Sequence, residues 1–315
     1  MTKQIMQAVR VHQYGGPDQL QLEPIPLPEP QAGDVLVRVC AAGVLPADCK
    51  TRQGFFKDFR PVIFPYIPGS TLAGIVEEVG PSVTTFQKGQ AVFGRSTKGA
   101  YAEYTPVSVE TLALCPETLS FADAATISGG ATVAWTALFE NGGLQAGQRV
   151  LIHGAAGGVG LFAVQFARWK GAHVIGTASP ANVDFVRSLG AETVIDYTSC
   201  AFEDVAHDVD IVLDTVGGDT LQRSMNVVKP GGIVISLLEQ PSHEKAQECG
   251  IRATMNAVSF PYPSSSLLET IAQLMADGVV KTVVAKEFSL HEVQEAHELC
   301  ETGHGRGRII LHVAE

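Results

Sequence analysis

A glycine-rich turn between two apolar segments constrains the fold of this 315-residue chain more than any other feature. Residues 149–160 read RVLIHGAAGGVG, and a mostly apolar segment of helix length, 161–169, follows them. A strand, a glycine turn and a helix in that order bring unpaired backbone N–H groups and the positive end of a helix dipole to a ligand. The segment therefore predicts a phosphate-binding strand–turn–helix unit.

The spacing of the glycines favours a dinucleotide as that ligand. Ala155 takes the first position of the usual pattern G-x-G-x-x-G, and Gly157 and Gly160 take the other two. Glycine is needed where a side chain would block the pyrophosphate or the contact between helix and strand. No Gly-Lys-Ser/Thr follows, which argues against a phosphate-loop NTPase, and no G-x-S-x-G supports a serine hydrolase. A turn with only a structural role is the remaining alternative.

From about Phe121 the chain alternates short apolar strands with segments of helix length. Such alternation is typical of a parallel sheet whose two faces are covered by right-handed crossovers. Six strands of this kind fit a doubly wound dinucleotide fold. The predicted strands are residues 150–153, 173–177, 193–196, 211–214, 233–237 and 253–259.

The first 120 residues are predicted to be rich in β-strands, because apolar residues alternate with a period of two in stretches such as 35–40. The proline-rich run 24–30 is predicted to be an extended linker. Near the end of the chain we predict helices at 264–277 and 291–301 and a last strand at 308–313, which returns to the first sheet. The sequence thus predicts one discontinuous domain, 1–120 and 260–315, with a dinucleotide-binding domain, 121–259, inserted in it.

Charge and composition argue against several classes of binding partner and location. A net charge of −11 repels phosphate backbones, so we expect no nucleic-acid partner. Glycines interrupt the longest uncharged stretch, 150–167, so we expect no membrane span. The first residues lack the apolar core of a secretion signal, and no two of the six cysteines have C-x-x-C spacing. Together these features predict a cytoplasmic protein.

A set of short motifs occurs in order along nearly the whole chain. Through this set the chain resembles the medium-chain dehydrogenase/reductase superfamily and, within it, the zinc-free quinone oxidoreductase branch of zeta-crystallin-like NADPH-dependent reductases. The resemblance implies an α/β fold with a doubly wound parallel Rossmann sheet inserted in a discontinuous, β-rich, GroES-like catalytic domain. Its motifs are Ala41-Ala-Gly-Val44 with Pro46 and Asp48, Pro68-Gly69 with Gly74, Gly99-Ala-Tyr-Ala-Glu103, Ala134-Trp135, Leu144-x-x-Gly147, the turn ending at Gly160, Ser188-Leu-Gly-Ala191 with Val194-Ile-Asp-Tyr197, Asp214-x-x-Gly217-Gly218 and Gly307.

The resemblance also implies that catalytic zinc is absent. Zinc alcohol dehydrogenases place a Cys ligand where this chain has Leu45, and a His-Glu pair where it has Ser70 and Thr71. None of these three side chains is a usual zinc ligand. Without a Lewis acid to polarise an alcohol, we expect reduction of an already activated acceptor, such as a quinone or an α,β-unsaturated carbonyl.

NADPH is the expected cofactor, because the second predicted strand ends without the acidic residue that NAD-binding sites place there. Relatives often keep a Lys three residues after Ser179, where this chain has Asn182, and a Tyr that matches Tyr197. The hydroxyl group of Thr132 is a further candidate, although it could instead bond its own helix backbone. The predicted cofactor-binding residues are Gly154, Ala155, Ala156, Gly157, Gly158, Val159, Gly160, Thr177, Ser179, Asn182, Tyr197 and Thr132.

Lys50, Phe56 and Asp48 are the candidate residues of the substrate pocket. Some relatives have Tyr where Lys50 stands, and enoyl thioester reductases keep a proton-donating Tyr where Phe56 stands. Phe cannot donate a proton, but with Phe55 and Phe59 it could form an apolar slot for a planar acceptor. Asp48 could instead complement the start of a helix. Packing and solvation are the alternatives for the aromatic residues and for Lys50.

These expectations combine into one prediction of function. The chain is predicted to be an NADPH-dependent reductase of quinones or enones that transfers a hydride and takes its proton from solvent. An enoyl thioester reductase and a non-catalytic NADPH-binding redox sensor are the alternatives. A homodimer joined through the last strand of the nucleotide sheet is suggested by the resemblance alone.

Overall fold

A computed structural model describes residues 4–256, 263–303 and 305–314. In this part of the chain the strands form two large sheets and a separate pair. They are β1 (Ile5–Arg10), β2 (Gln21–Pro26), β3 (Asp34–Val44), β4 (Thr71–Val79), β5 (Ala91–Arg95), β6 (Tyr104–Ser108), β7 (Leu112–Leu114), β8 (Arg149–Ile152), β9 (His173–Ala178), β10 (Thr193–Asp196), β11 (Val209–Asp214), β12 (Val228–Ser236), β13 (Arg252–Met255), β14 (Val284–Ser289) and β15 (Arg308–His312).

The α-helices lie mainly between the strands of the second half. In the described residues they are α1 (Pro46–Arg52), α2 (Phe121–Ala125), α3 (Thr132–Trp135), α4 (Gly160–Trp169), α5 (Val183–Leu189), α6 (Gly218–Ser224), α7 (His243–Glu248), α8 (Ser265–Ala276) and α9 (Val293–Glu301). Two π-helical segments, Ile127–Ala131 and Thr136–Asn141, flank α3. None of the described helices is both long enough and apolar enough to cross a bilayer.

The predicted doubly wound sheet is confirmed. Six parallel strands lie in the order β10-β9-β8-β11-β12-β13. Both faces of this sheet are buried, so β8 contributes three fully buried apolar side chains in succession, Val150, Leu151 and Ile152. The strand order reverses between β8 and β11, and ligands of such sheets bind beyond the carboxyl ends of the strands at that point. The glycine turn follows β8 and therefore lies at this position.

The second large sheet joins the two ends of the chain. Its order is β14-β15-β3-β4-β5-β7, and β6 also pairs with β3. The last strand returns to the first sheet as predicted, because β15 runs antiparallel to β3 with Ile310 opposite Gly43. Sequence reasoning missed β14, whose mostly exposed residues show no apolar pattern. The exact domain boundaries remain predictions.

Two segments differ from their predicted extent. The prediction of an extended linker at 24–30 is wrong for the first half of this run, because Pro24 and Pro26 belong to β2, which pairs antiparallel with β1. A two-stranded sheet consists of edges, where a residue without an N–H is tolerated. The strand predicted at 253–259 corresponds to β13, and residues 257–262 lie outside the described part of the chain.

Candidate functional site

The turn between β8 and α4 is closed by its glycines. Gly154 has φ +67°, and the N–H of Gly157 donates to its carbonyl over 2.9 Å. A Cβ on Gly160 would lie 2.2 Å from the same carbonyl, so a side chain there would open the turn. Ala155 is tolerated at the first position of the pattern because Gly176 faces it from β9, where a Cβ would lie 3.0 Å from the Ala155 methyl.

The start of α4 is open to a ligand. Its N-cap residue, Val159, provides no side-chain hydrogen bond to the helix. The Leu161 N–H donates to the Gly157 carbonyl within the turn, over 3.0 Å. The first N–H groups of a helix have no partner within the helix, so an uncapped start attracts an anion.

The buried side chains of Thr177 and His153 hold the turn in place from inside the protein. The Thr177 hydroxyl contacts the Gly154 N–H at 3.3 Å and His153 Nδ1 at 3.1 Å, and it is buried. His153 Nε2 lies 3.0 Å from the Ser224 hydroxyl, and burial lowers the pKa of this imidazole to about 4. The structure thus places Thr177, a predicted cofactor contact, beneath the turn, where it positions the backbone.

Two segments distant in sequence pack against the glycine turn. A Cβ on Gly130, in the π-helical segment before α3, would lie 2.4 Å from the Gly158 carbonyl. The Gly307 N–H, just before β15, donates to the Ala156 carbonyl over 3.1 Å. Thr132 lies buried two residues after Gly130, so it is close in sequence to a contact with the turn.

Arg308 is the functional candidate that sequence reasoning missed. Its side chain is buried, and its Nε and Nη2 atoms have no hydrogen-bond partner among the described residues. Its Cδ and Nη1 atoms lie 2.8 Å from the position of a Cβ on Gly158, and Nη2 lies 3.0 Å from that of a Cβ on Gly129. Burial lowers the pKa of the guanidinium. A buried, unpaired cation is costly, and an anion held by the turn would relieve that cost. Its neighbour Gly307 was the only signal in the sequence.

The end of β9 brings together Ser179, Asn182 and Tyr197, three of the predicted cofactor-binding residues. The Asn182 amide donates to the Ser179 hydroxyl over 3.1 Å, and the Tyr197 N–H donates to the Ala178 carbonyl over 3.3 Å. Tyr197 is more than half exposed. The carboxylate of Asp196, which pairs with Ala178, accepts from the N–H and hydroxyl of Thr198.

Asp48 points into the protein. Its carboxylate accepts from the Leu45 N–H at the start of α1 over 2.9 Å and from the Tyr101 hydroxyl over 3.3 Å. Burial raises its pKa to about 6, against the opposing effect of the Leu45 hydrogen bond and of Arg95 and Arg308. This geometry favours the helix-capping role over a place in the substrate pocket.

Lys50 and Phe56 meet in an aromatic cluster after α1. Lys50 Nζ lies 5.3 Å from the centre of the Phe55 ring, which packs edge-on against Phe56 at 5.2 Å. Phe56 packs in turn against Phe59 at 5.6 Å. Phe55 and Phe59 are 64% and 74% exposed, so the cluster presents aromatic rings at the surface.

Two of the three positions that hold zinc ligands in zinc alcohol dehydrogenases lie beside Gly129. Leu45 Cδ2 and Thr71 Cγ2 lie 3.0 and 3.1 Å from the position of its Cβ, beside the Arg308 guanidinium. The Thr71 hydroxyl is buried and has no hydrogen-bond partner in the residues that the structure describes. An aliphatic group, a hydroxyl and a cation are a poor donor set for zinc.

Within the described ranges, one cluster brings together three side chains that can bind a metal. The ligand atoms of Cys49, His297 and Glu301 lie within 4.8 Å of one another. The buried Arg52 already occupies them, because its guanidinium contacts both the Glu301 carboxylate and His297 Nδ1. This arrangement is an ion-pair network that joins α1 to α9.

Comparisons with known proteins agree with this geometry. Residues 31–117 match the family "Alcohol dehydrogenase GroES-like domain", and residues 189–311 match "Zinc-binding dehydrogenase". The chain is 34% identical to the quinone oxidoreductase of Mus musculus over 331 residues, which cover 98% of each protein. It is 32% identical to an NADPH-dependent alkenal/one oxidoreductase of Arabidopsis thaliana, over 95% of this chain and 77% of that protein.

Solved structures give the same result. The quinone oxidoreductase of Coxiella burnetii superposes with a TM-score of 0.90 at 33% identity and covers 99% of this chain and 100% of that one. The Escherichia coli quinone oxidoreductase complexed with NADPH has a TM-score of 0.90 at 27% identity, with coverages of 97% and 99%. The chain therefore belongs to the quinone oxidoreductase family of medium-chain dehydrogenases/reductases, and it is an oxidoreductase with a nicotinamide cofactor.

Proposed function

We propose that the protein reduces quinones or α,β-unsaturated ketones with NADPH and without zinc. One observation carries the proposal: the buried guanidinium of Arg308, whose Nε and Nη2 atoms lack a partner in the described part of the chain, lies against the glycine turn at the point where the strand order reverses. A pyrophosphate bound there would supply the anion that this cation lacks.

The residues present fit a dinucleotide along its whole length. The open start of α4, with Gly157, Gly158 and Arg308, would hold the pyrophosphate. Ser179, Asn182 and Tyr197 would hold the adenosine end, and Thr132 the nicotinamide end. A side chain on Gly157 would meet only the Gly154 carbonyl, at 3.2 Å, so this glycine is not required for packing and is free to serve the approach of a ligand.

NADPH is favoured over NADH at the adenosine end. β9 ends in Ala178 and Ser179 follows it, so the strand itself ends without an acidic side chain that could accept from a ribose 2′-hydroxyl. Two aspartates elsewhere have other partners: Asp196, opposite Ala178 on β10, accepts from Thr198, and the exposed Asp184 pairs with Arg187 at 3.0 Å. A 2′-phosphate at the end of β9 would therefore meet the hydroxyl of Ser179 and the amide of Asn182.

The bound nicotinamide supplies a hydride, and the chain supplies orientation and exclusion of water. The Phe55–Phe56–Phe59 cluster would hold a flat acceptor by apolar contact. Asp48 is turned away to cap α1, and Phe56 has no proton to give, so solvent provides the last proton. The pair Leu45 and Thr71 offers no zinc ligand, and activity should persist in a chelator.

Isotope labelling tests the proposed reaction, because it shows which carbon of the acceptor receives the hydride. With C4-deuterated NADPH, a simple enone such as 3-buten-2-one should yield the saturated ketone with deuterium on the β-carbon, and 1,4-benzoquinone should yield its reduced form. An allylic alcohol with deuterium on the carbonyl carbon would contradict the mechanism. Faster reduction of a crotonyl thioester than of the enone would favour the enoyl thioester reductase. NADPH binding without turnover of any acceptor would favour the redox sensor.

The oligomeric state and the cellular location stay predictions: a homodimer joined through β13, and the cytoplasm. A small organic acceptor as the reaction partner agrees with the relatives named above.

A further inference from the structure

Arg306 is held over the loop that follows β9, although the two are more than 120 residues apart in sequence. Its Nε donates to the Asn182 side-chain oxygen over 3.2 Å, and its Nη2 donates to the Ala181 carbonyl over 3.1 Å. The guanidinium carbon lies 4.5 Å from the centre of the Phe185 ring. Three contacts thus fix an exposed cation at one place on the surface.

These contacts leave the positive charge of Arg306 available. An amide oxygen, a backbone carbonyl and an aromatic ring are all neutral groups, and the hydrogen bonds to other described residues use two of the five N–H donors of the guanidinium. The neighbouring Arg187 differs, because its guanidinium pairs with the Asp184 carboxylate at 3.0 Å. The two arginines therefore present different net charges to an anion.

The place is the one where a dinucleotide presents its adenosine ribose. Asn182, which receives the Arg306 hydrogen bond, donates in turn to the Ser179 hydroxyl at the end of β9. In sheets of this order an arginine near the end of the second strand accommodates a ribose 2′-phosphate. Guanidinium groups suit this role, because their planar fork matches the oxygens of a phosphate.

We propose that Arg306 is the residue that selects NADPH, by binding its 2′-phosphate from the segment that precedes β15. The inference rests on the proposed cofactor and names the residue that discriminates. Asn182 lacks the charge of the lysine that relatives often keep at its position, and Arg306 supplies that charge from the other end of the chain.

The same short segment would then contact both phosphate groups of the cofactor. Gly307 has φ +80°, and a Cβ there would lie 2.1 Å from the Val283 carbonyl. Its N–H is fixed to Ala156 in the glycine turn. Arg306 and Arg308 on either side of it reach different places, the loop after β9 and the turn itself.

Calorimetric titration with NADPH and with NADH tests the proposal through binding, independently of activity. The variant Arg306→Gln should weaken NADPH binding by about 10- to 100-fold, the usual effect of losing a hydrogen bond to a charged group, and change NADH binding by less than about twofold. The fragment 2′,5′-ADP should lose affinity like NADPH, and 5′-AMP like NADH. The matched control Arg187→Gln should change neither cofactor.

A second substitution can test whether the lost NADPH affinity is due to the lost charge. Asn182→Lys, added to Arg306→Gln, should restore much of the NADPH affinity by returning a cation to the same phosphate. An equal loss for both cofactors, or an unchanged NADPH affinity in Arg306→Gln, would overturn the assignment. If the unmodified protein itself binds NADH as tightly as NADPH, the proposed cofactor preference fails first.

Discussion

The glycine turn and the α1 region hold the two halves of the proposed site, and they differ in what specifies them. In the turn, backbone geometry decides: Gly154 needs its positive φ, and Gly160 needs the absence of a side chain. After α1, side-chain direction decides: Asp48 points inward, whereas Lys50 lies on an aromatic ring. A site built from backbone groups can be predicted from the spacing of its glycines. A site built from side chains can be recognised only when the fold shows where those side chains point.

The largest expected effect separates two glycines of the turn. Gly160→Val should prevent folding, because its Cβ would lie 2.2 Å from the Gly154 carbonyl. Gly157→Val should fold, since its Cβ would meet only that carbonyl, at 3.2 Å, but NADPH affinity should fall more than about 100-fold because the side chain blocks the pyrophosphate. Thermal melts and calorimetry measure the two properties. A folded Gly157→Val protein with normal NADPH affinity would make the turn purely structural.

A smaller effect concerns Asp48, whose raised pKa of about 6 has a cost in stability. The folded protein holds this proton more tightly than the unfolded chain, in which the pKa is about 4. The resulting stabilisation is present below pH 4 and is lost as the pH rises through 6, by about 3 kcal/mol in all.

The variant Asp48→Asn has no carboxyl group to ionise at this position, so it should not lose stability in this way as the pH rises. Between pH 4 and 8, the free energy of unfolding of the unmodified protein should therefore fall by about 2 kcal/mol relative to the variant, as chemical denaturation at each pH would measure. Because His153 and His297 titrate in both proteins, the difference isolates Asp48. The rate of enone turnover should change by less than about threefold. A turnover rate reduced by two orders of magnitude or more would return Asp48 to the catalytic residues.

The sequence predicts the sheet and the turn well because their signals are local. Apolar runs mark the six strands, and the spacing of the glycines marks the ligand end of β8. Even the alanine in the pattern has a local counterpart, since Gly176 makes room for Ala155. The proline run misleads because a free strand edge, which depends on the neighbouring strand, decides whether Pro24 and Pro26 can join a sheet.

The side chains of the site are predicted less well, for a tertiary reason. Thr177 looks like a ligand contact in sequence, but its hydroxyl is engaged with Gly154 and His153. Arg306 and Arg308 look like ordinary charges near the end of the chain. Only the return of β15 to β3 brings them to the glycine turn and to the end of β9.

A crystal structure of the NADPH complex would show which residues bind the pyrophosphate and the 2′-phosphate. We expect the pyrophosphate at the start of α4, with oxygens about 3 Å from backbone N–H groups of the glycine turn and from the Arg308 guanidinium. We also expect the 2′-phosphate beside Ser179 and Arg306. A structure in which Arg308 stays unpaired while the pyrophosphate binds elsewhere would contradict the proposed cofactor site.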